Sequence, residues 1–142
     1  MLTPYDYTVI ALSAYNKATE GVCKKYSIQQ RDLDILMFLN DNPNVVTATD
    51  IVKKLNISKS YVSLSLRALQ ERGFVTGEFK GTDRKSIYLK INDSANEILS
   101  EASEARRQFS LAMVADFSEQ EKKELLAYLS RVKKNLISLS KK

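Results

Sequence analysis

The segment from Thr47 to Ile91 leaves a chain of this length few architectures, because it sets two short helices around a tight turn and follows them with two alternating strands. Thr47 and Asp50 form a T-x-x-D pattern whose side chains can satisfy orphan N–H groups of a first helical turn. Ile51, Val52 and Leu55 then recur at helical spacing and predict one apolar face. Leu55-Asn56-Ile57 is the turn, and asparagine tolerates the left-handed conformation such a turn often needs. A second helix can begin at once, with Ser58 as its N-cap and Gly73 just past its end.

Stepping ~100° per residue from Val62 puts Leu66 and Leu69 beside it on the buried face of this second helix. Ser60, Ser63, Leu64, Arg67 and Glu71 then point away from the core. Near its N-terminus that outer face is small, polar and mostly uncharged, which lets it approach base edges in a major groove. The plainer alternative is a solvated face, although such faces more often carry Lys and Glu. The arms that follow have period two: Val75, Gly77 and Phe79 against Thr76 and Glu78, then Ile87, Leu89 and Ile91 against Ser86, Tyr88 and Lys90. Between them Lys80-Gly81-Thr82-Asp83-Arg84-Lys85 is either an ordinary Gly- and Asp-bearing hairpin turn or a cationic tip that lies along phosphates or in a narrow minor groove. Charge favours the second: residues 57–91 carry net +4 of the chain's +5.

TATDIVKKLNISKSYVSLSLRALQERGFV followed by TDRKSIYLKIN resembles the MarR family (multiple-antibiotic-resistance regulators), and the order of elements around it is similar along essentially the whole chain. The most specific motif is at the hairpin, where the family carries D-x-R before an alternating strand and this chain has Asp83-Arg84-Lys85 before Ser86-Ile87-Tyr88-Leu89. Lys85 stands where arginine is usual, which weakens a bidentate role there or shifts it to Arg84. Leu64 stands where the family often has arginine; it either touches a thymine methyl or packs against the next loop.

The resemblance implies a mainly α chain with a small β-hairpin wing: a winged helix-turn-helix whose N- and C-terminal helices form a dimerisation region. The expected division is 1–28 for the N-terminal dimerisation helix, 29–91 for the DNA-binding domain and 92–142 for the C-terminal dimerisation helices. It further implies a homodimeric, sequence-specific regulator of double-stranded DNA, usually a repressor on a pseudo-palindromic operator. Lys59, Ser60, Tyr61, Ser63, Leu64 and Arg67 are the expected contacts from the helix, with Lys80, Thr82, Arg84 and Lys85 from the wing. Many members release DNA when a small aromatic or anionic ligand, or an oxidant, signals to them. Tyr5, Tyr7, Tyr15, Phe109 and Met113 can line such a crevice, or they are simply core aromatics and methionine at helical spacing.

Composition narrows the rivals. At 142 residues the chain is one domain's worth, and no apolar run reaches the ~20 residues of a membrane span. The start MLTPYDY lacks a signal-peptide pattern, so a cytoplasmic location is expected. With no histidine and one cysteine, an internal disulfide is excluded and no zinc site or other cofactor is expected. Paired carboxylates, a phosphate loop and nucleophile–base pairs are all missing, so the chain does not read as an enzyme. The remaining rival is a winged-helix protein-interaction module without sequence-specific DNA binding.

Thr3, Pro4 and Asp6 mark a first helix running to Tyr26, with Tyr7, Ile10, Ala11, Ala14, Ala18, Val22 and Cys23 on one face. Cys23 is either a small core side chain or a redox sensor, and the position that looks like the peroxide-sensing cysteine of the resembled family is Tyr5. A supporting helix is expected over 28–40, with Leu33, Leu36, Met37 and Asn40 on one side. Val45-Val46 can add a short third strand to the wing. A long helix over 92–116 is expected to be capped by Asn92, with Glu97, Glu101, Glu104, Arg106 and Arg107 on a solvated face. Ser118 and Glu121 form a capping box for a last helix whose Leu125, Leu129, Val132, Leu136 and Leu139 make a heptad-like seam.

Overall fold

A computed structural model describes residues 3–44, 47–79, 81–82 and 85–141. Its elements are α1 (Pro4–Tyr26), α2 (Gln30–Asp41), α3 (Ala48–Leu55), α4 (Lys59–Glu71), β1 (Val75–Glu78), β2 (Tyr88–Ile91), a short 3-10 turn (Asp93–Ala95), α5 (Asn96–Met113) and α6 (Glu119–Ser140). The chain forms two compact units, residues 1–107 and 108–142.

Local chemistry sets most of the boundaries. Thr3, Thr47 and Ser118 each accept a hydrogen bond from the N–H three residues on, and Asp6, Asp50 and Glu121 each accept one from the cap N–H, so α1, α3 and α6 all open on reciprocal boxes. Ser58 caps α4 by accepting from the Tyr61 N–H at 3.1 Å. Asn56 (φ 52) and Gly73 (φ 74) adopt the left-handed conformation expected of them, ending α3 and α4. Ser27 (φ 50) does the same for α1, which no glycine or asparagine had signalled.

The core of the first unit is gathered by α2, which buries Leu33, Ile35, Leu36, Met37 and Leu39. Ile51 from α3, Val62, Leu66 and Leu69 from α4, Phe74 and Val75 at the wing base, and Ile98, Leu99 and Ala102 from α5 close around it. The helix thus buries more than the single side expected: Ile35 and Leu39 are inside, while Asn40 is exposed. It also begins at Gln30 rather than Ile28, whose side chain is nevertheless buried ahead of the helix. Ser65, three residues after Val62, is fully buried, and its hydroxyl has no hydrogen-bond partner among the described residues.

The wing is an antiparallel pair with Val75 opposite Ile91 and Glu78 opposite Tyr88, and Thr47 adds an isolated antiparallel bridge to Tyr88. Val45 and Val46 lie outside the described residues. The strands are shorter than the alternation suggested, because only the base of the hairpin has core to rest on. Val75 is buried, whereas Gly77, Phe79 and Ile87 are exposed and the latter two lie outside the strands.

Two further expectations change. Asn92 does not cap a long helix with its side chain: its amide donates to the Gly73 carbonyl at 2.8 Å and its carbonyl accepts from the Thr76 hydroxyl at 3.3 Å. The helix therefore starts after a 3-10 turn and ends at Met113 instead of Asp116. Nor are the α5 charges all solvent-facing partners of one another. Arg107 does pair with Glu104, but Glu101 pairs with Lys25 of α1 and Arg106 makes a two-pronged pair with Asp41 of α2. In α1, Tyr7, Ile10, Ala11 and Ala14 are exposed, and the residues that meet the core are Val22, Cys23 and Tyr26.

In the second unit, α6 buries none of its residues. Leu129, Val132, Leu136 and Leu139 of the heptad-like seam are all exposed, Leu139 at 63 %, and Leu125 is only partly covered.

Candidate nucleic-acid interface

Helix α4 divides its surface as its period requires. Val62, Ser65, Leu66 and Leu69 are buried, and Lys59, Ser60, Tyr61, Ser63, Leu64 and Arg67 lie on the exposed side. The six helix positions expected to form a contact surface are thus brought together on one element. A cleft of about 190 Å³ runs between α3 and α4, lined by Ala48, Thr49, Val52, Lys59, Val62 and Ser63. The rest of the reader is arranged beside this surface by the Arg72–Gly73 turn, where α4 gives way to β1.

That turn is held from two sides. Arg72 donates to the Tyr26 carbonyl at 2.7 Å and the Ser27 carbonyl at 3.0 Å, closing the C-terminal end of α1, and its guanidinium lies 5.1 Å from the Phe74 ring centroid. The Gly73 carbonyl accepts from Asn92 and, at 2.7 Å, from the Ser94 hydroxyl. Arg72 had been counted with the reader's excess positive charge, but two of its donors serve the fold. Spacing in sequence could not reveal this, since its acceptors lie 45 and 46 residues away.

Tyr61 is the least open of the helix positions, 36 % exposed, with the Arg31 guanidinium 5.7 Å from its ring centroid. Burial first, and then the Asp34 carboxylate, raise its hydroxyl above the ordinary tyrosine pKa. Arg31, held by Asp32 at 3.3 Å, is a cation beside the reader that the sequence pattern missed. Its signal was weak, because it stands in a helix recognisable only as support.

At the wing, Gly81 takes φ 56, and Thr82 and Lys85 are exposed. Lys80, Asp83 and Arg84 lie outside the described residues.

Away from the reader, an open groove of about 800 Å³ runs beside α1, lined by Val9, Ile10, Ala14, Cys23 and Gln30 among others. The tyrosines proposed for a crevice are not gathered there: Tyr5 and Tyr7 are exposed, and the Tyr15 hydroxyl meets the Met37 sulfur at 3.6 Å. Cys23 donates to the side-chain oxygen Oε1 of Gln30 at 3.5 Å, and burial, with Asp34 adding to it, pushes its thiol up, away from the thiolate form a redox sensor uses. Among the described residues no cluster of metal-ligating side chains occurs, and no helix is long and apolar enough to cross a membrane.

Comparison with known proteins agrees with this layout. Residues 26–86, which hold α2, α3, α4, β1 and the hairpin loop, match the model of the MarR family. The HTH-type transcriptional regulator PecS of Dickeya dadantii (strain 3937) is 28 % identical over 125 residues, covering 87 % of this chain and 75 % of the relative. Among solved structures, a crystal structure of MarR superposes with a TM-score of 0.83 at 16 % identity, covering 97 % of this chain and 93 % of that one. A putative MarR family transcriptional regulator from Listeria monocytogenes, complexed with 26mer DNA, superposes with a TM-score of 0.82 at 17 % identity over 96 % of this chain and 89 % of its own. The matched segment, the shared winged helix and a relative named as a transcriptional regulator converge on one assignment. Across these matches the chain is similar to the MarR family of winged helix-turn-helix regulators, and it shares their fold.

Proposed function

We propose that the chain is a cytoplasmic, homodimeric transcriptional repressor that reads a pseudo-palindromic operator in double-stranded DNA. The observation that carries this is the outer face of α4, where Ser60, Ser63, Leu64 and Arg67 stand exposed on a capped helix beside the wing. Two such helices ~34 to 36 Å apart enter successive major grooves on one side of B-DNA. The uncovered seam of α6 supports a second copy, since an apolar stripe of that length is stable in water only when another helix buries it. The Listeria relative bound to 26mer DNA supports the ligand class.

In this pose Ser60, Tyr61, Ser63, Leu64 and Arg67 meet bases or their flanking phosphates, and Lys59, Lys80, Thr82, Arg84 and Lys85 meet mostly phosphates or the minor groove. The test is a titration of labelled random-sequence duplex against salt. Affinity should fall steeply with log salt, and Lys59→Ala or Arg84→Ala should make the slope shallower by about one per protomer. Binding that ignores salt, or no binding to duplex at all, would instead favour a protein-interaction module.

A further inference from the structure

We propose that Leu64 is the specificity-determining side chain of α4, and that it contacts the 5-methyl group of a thymine in each half-site; this rests on the DNA-reading function argued above. The side chain is 49 % exposed, although leucine has no hydrogen-bonding reason to face water. It lies outside the buried face of the helix, which Val62, Ser65, Leu66 and Leu69 fill. It sits as the sixth residue of α4, in the half of a recognition helix that meets base edges.

Its surroundings define the partner. Ser60 lies one turn before it, Arg67 three residues after it and Ser63 beside it, all exposed and all able to hydrogen-bond. A lone branched apolar group inside a hydrogen-bonding ring complements a surface that is polar except at one point. The major-groove edge of a thymine is such a surface, because it alone among the bases presents a methyl group there. A protein partner would call for a contiguous apolar patch, and the other large exposed apolar residue of α4, Tyr61, has its ring covered by Arg31. Lys59 and Arg67 flank the leucine with positive charge, as a polyanion requires.

The experiment replaces thymine by uracil, which removes only the methyl. A preferred duplex is first selected from a random pool with the wild-type dimer, and each thymine in a half-site is then changed to uracil in turn. One position per half-site should cost wild type about fourfold in affinity, the value of one buried methyl, and cost Leu64→Ala nothing. The substitution is at an exposed helix position and replaces leucine by the best helix former, so circular dichroism and the salt slope should be unchanged. The inference is overturned if no uracil substitution weakens wild-type binding, if the selected half-site contains no thymine, or if Leu64→Ala keeps the same penalty. Failure to select any duplex would instead remove the DNA-reading function on which it rests.

Discussion

Asp34 of α2 accepts from the Gln30 amide at 2.8 Å, and its charge adds to the burial that raises the pKa values of Cys23 and Tyr61. Burial raises its own pKa above the ordinary 3.8, with the Gln30 hydrogen bond opposing. A carboxyl whose folded pKa is raised contributes most favourably below its unfolded value, and that contribution is lost as pH rises through the folded value. Asp34→Asn keeps an acceptor for Gln30 and never ionises. The variant should therefore be more stable than wild type at about pH 7, with the gap closing as pH falls toward the unfolded value. Urea melts across pH measure this, and a gap that does not change with pH would show that the carboxylate is not desolvated. Burial first, and then the same charge, push the Cys23 thiol up, consistent with a core role for it. From sequence alone Cys23 was undecided, because the groups that set its pKa come from another helix.

At the scale of elements, the hairpin shows how one residue type can carry the wing. A Cβ added at Gly77 would stand 2.6 Å from Ile87 Cγ2 and 3.2 Å from the Gln70 side-chain nitrogen, so the strand lies too close to its neighbours for alanine. Gly77→Ala should destabilise the fold by about 1 to 2 kcal/mol, the usual cost of overpacking. Because Ile87 is 50 % exposed and can be trimmed, the Gly77→Ala/Ile87→Ala pair should recover most of that loss in denaturant unfolding. Additive losses would mean that the strain lies in the backbone or at Gln70.

What could be seen in advance divides along the same line. The helix start at Thr3, the boxes at Thr47 and Ser118, the cap at Ser58 and the left-handed Asn56 and Gly73 were legible, because each rests on chemistry within about four residues. Asn92 was misassigned because it has two competing uses and the one chosen depends on Gly73 and Thr76, 19 and 16 residues away. The Lys25–Glu101 and Asp41–Arg106 pairs were hidden for a similar reason, being 76 and 65 residues apart in the chain. The outer face of α4 was legible because helical period alone separates it from Val62, Leu66 and Leu69. The cover on Tyr61 was not, since Arg31 comes from α2.

For the whole molecule, the exposed apolar residues of α6 and of the first half of α1 mark what a single chain leaves unfinished. Arg72 ties the end of α1 to the end of α4, so on the proposed dimer the reader's orientation follows from the helix that precedes it. Two readers clamped in that way demand symmetry in their target, whereas a monomer or an interaction module demands none. Selection of bound duplexes from a random pool by the purified protein tests this most directly. The enriched sequences should contain an inverted repeat with half-site centres about one helical turn, 10 to 10.5 base pairs, apart. Enriched sequences without internal symmetry, or no enrichment over the starting pool, would contradict the account.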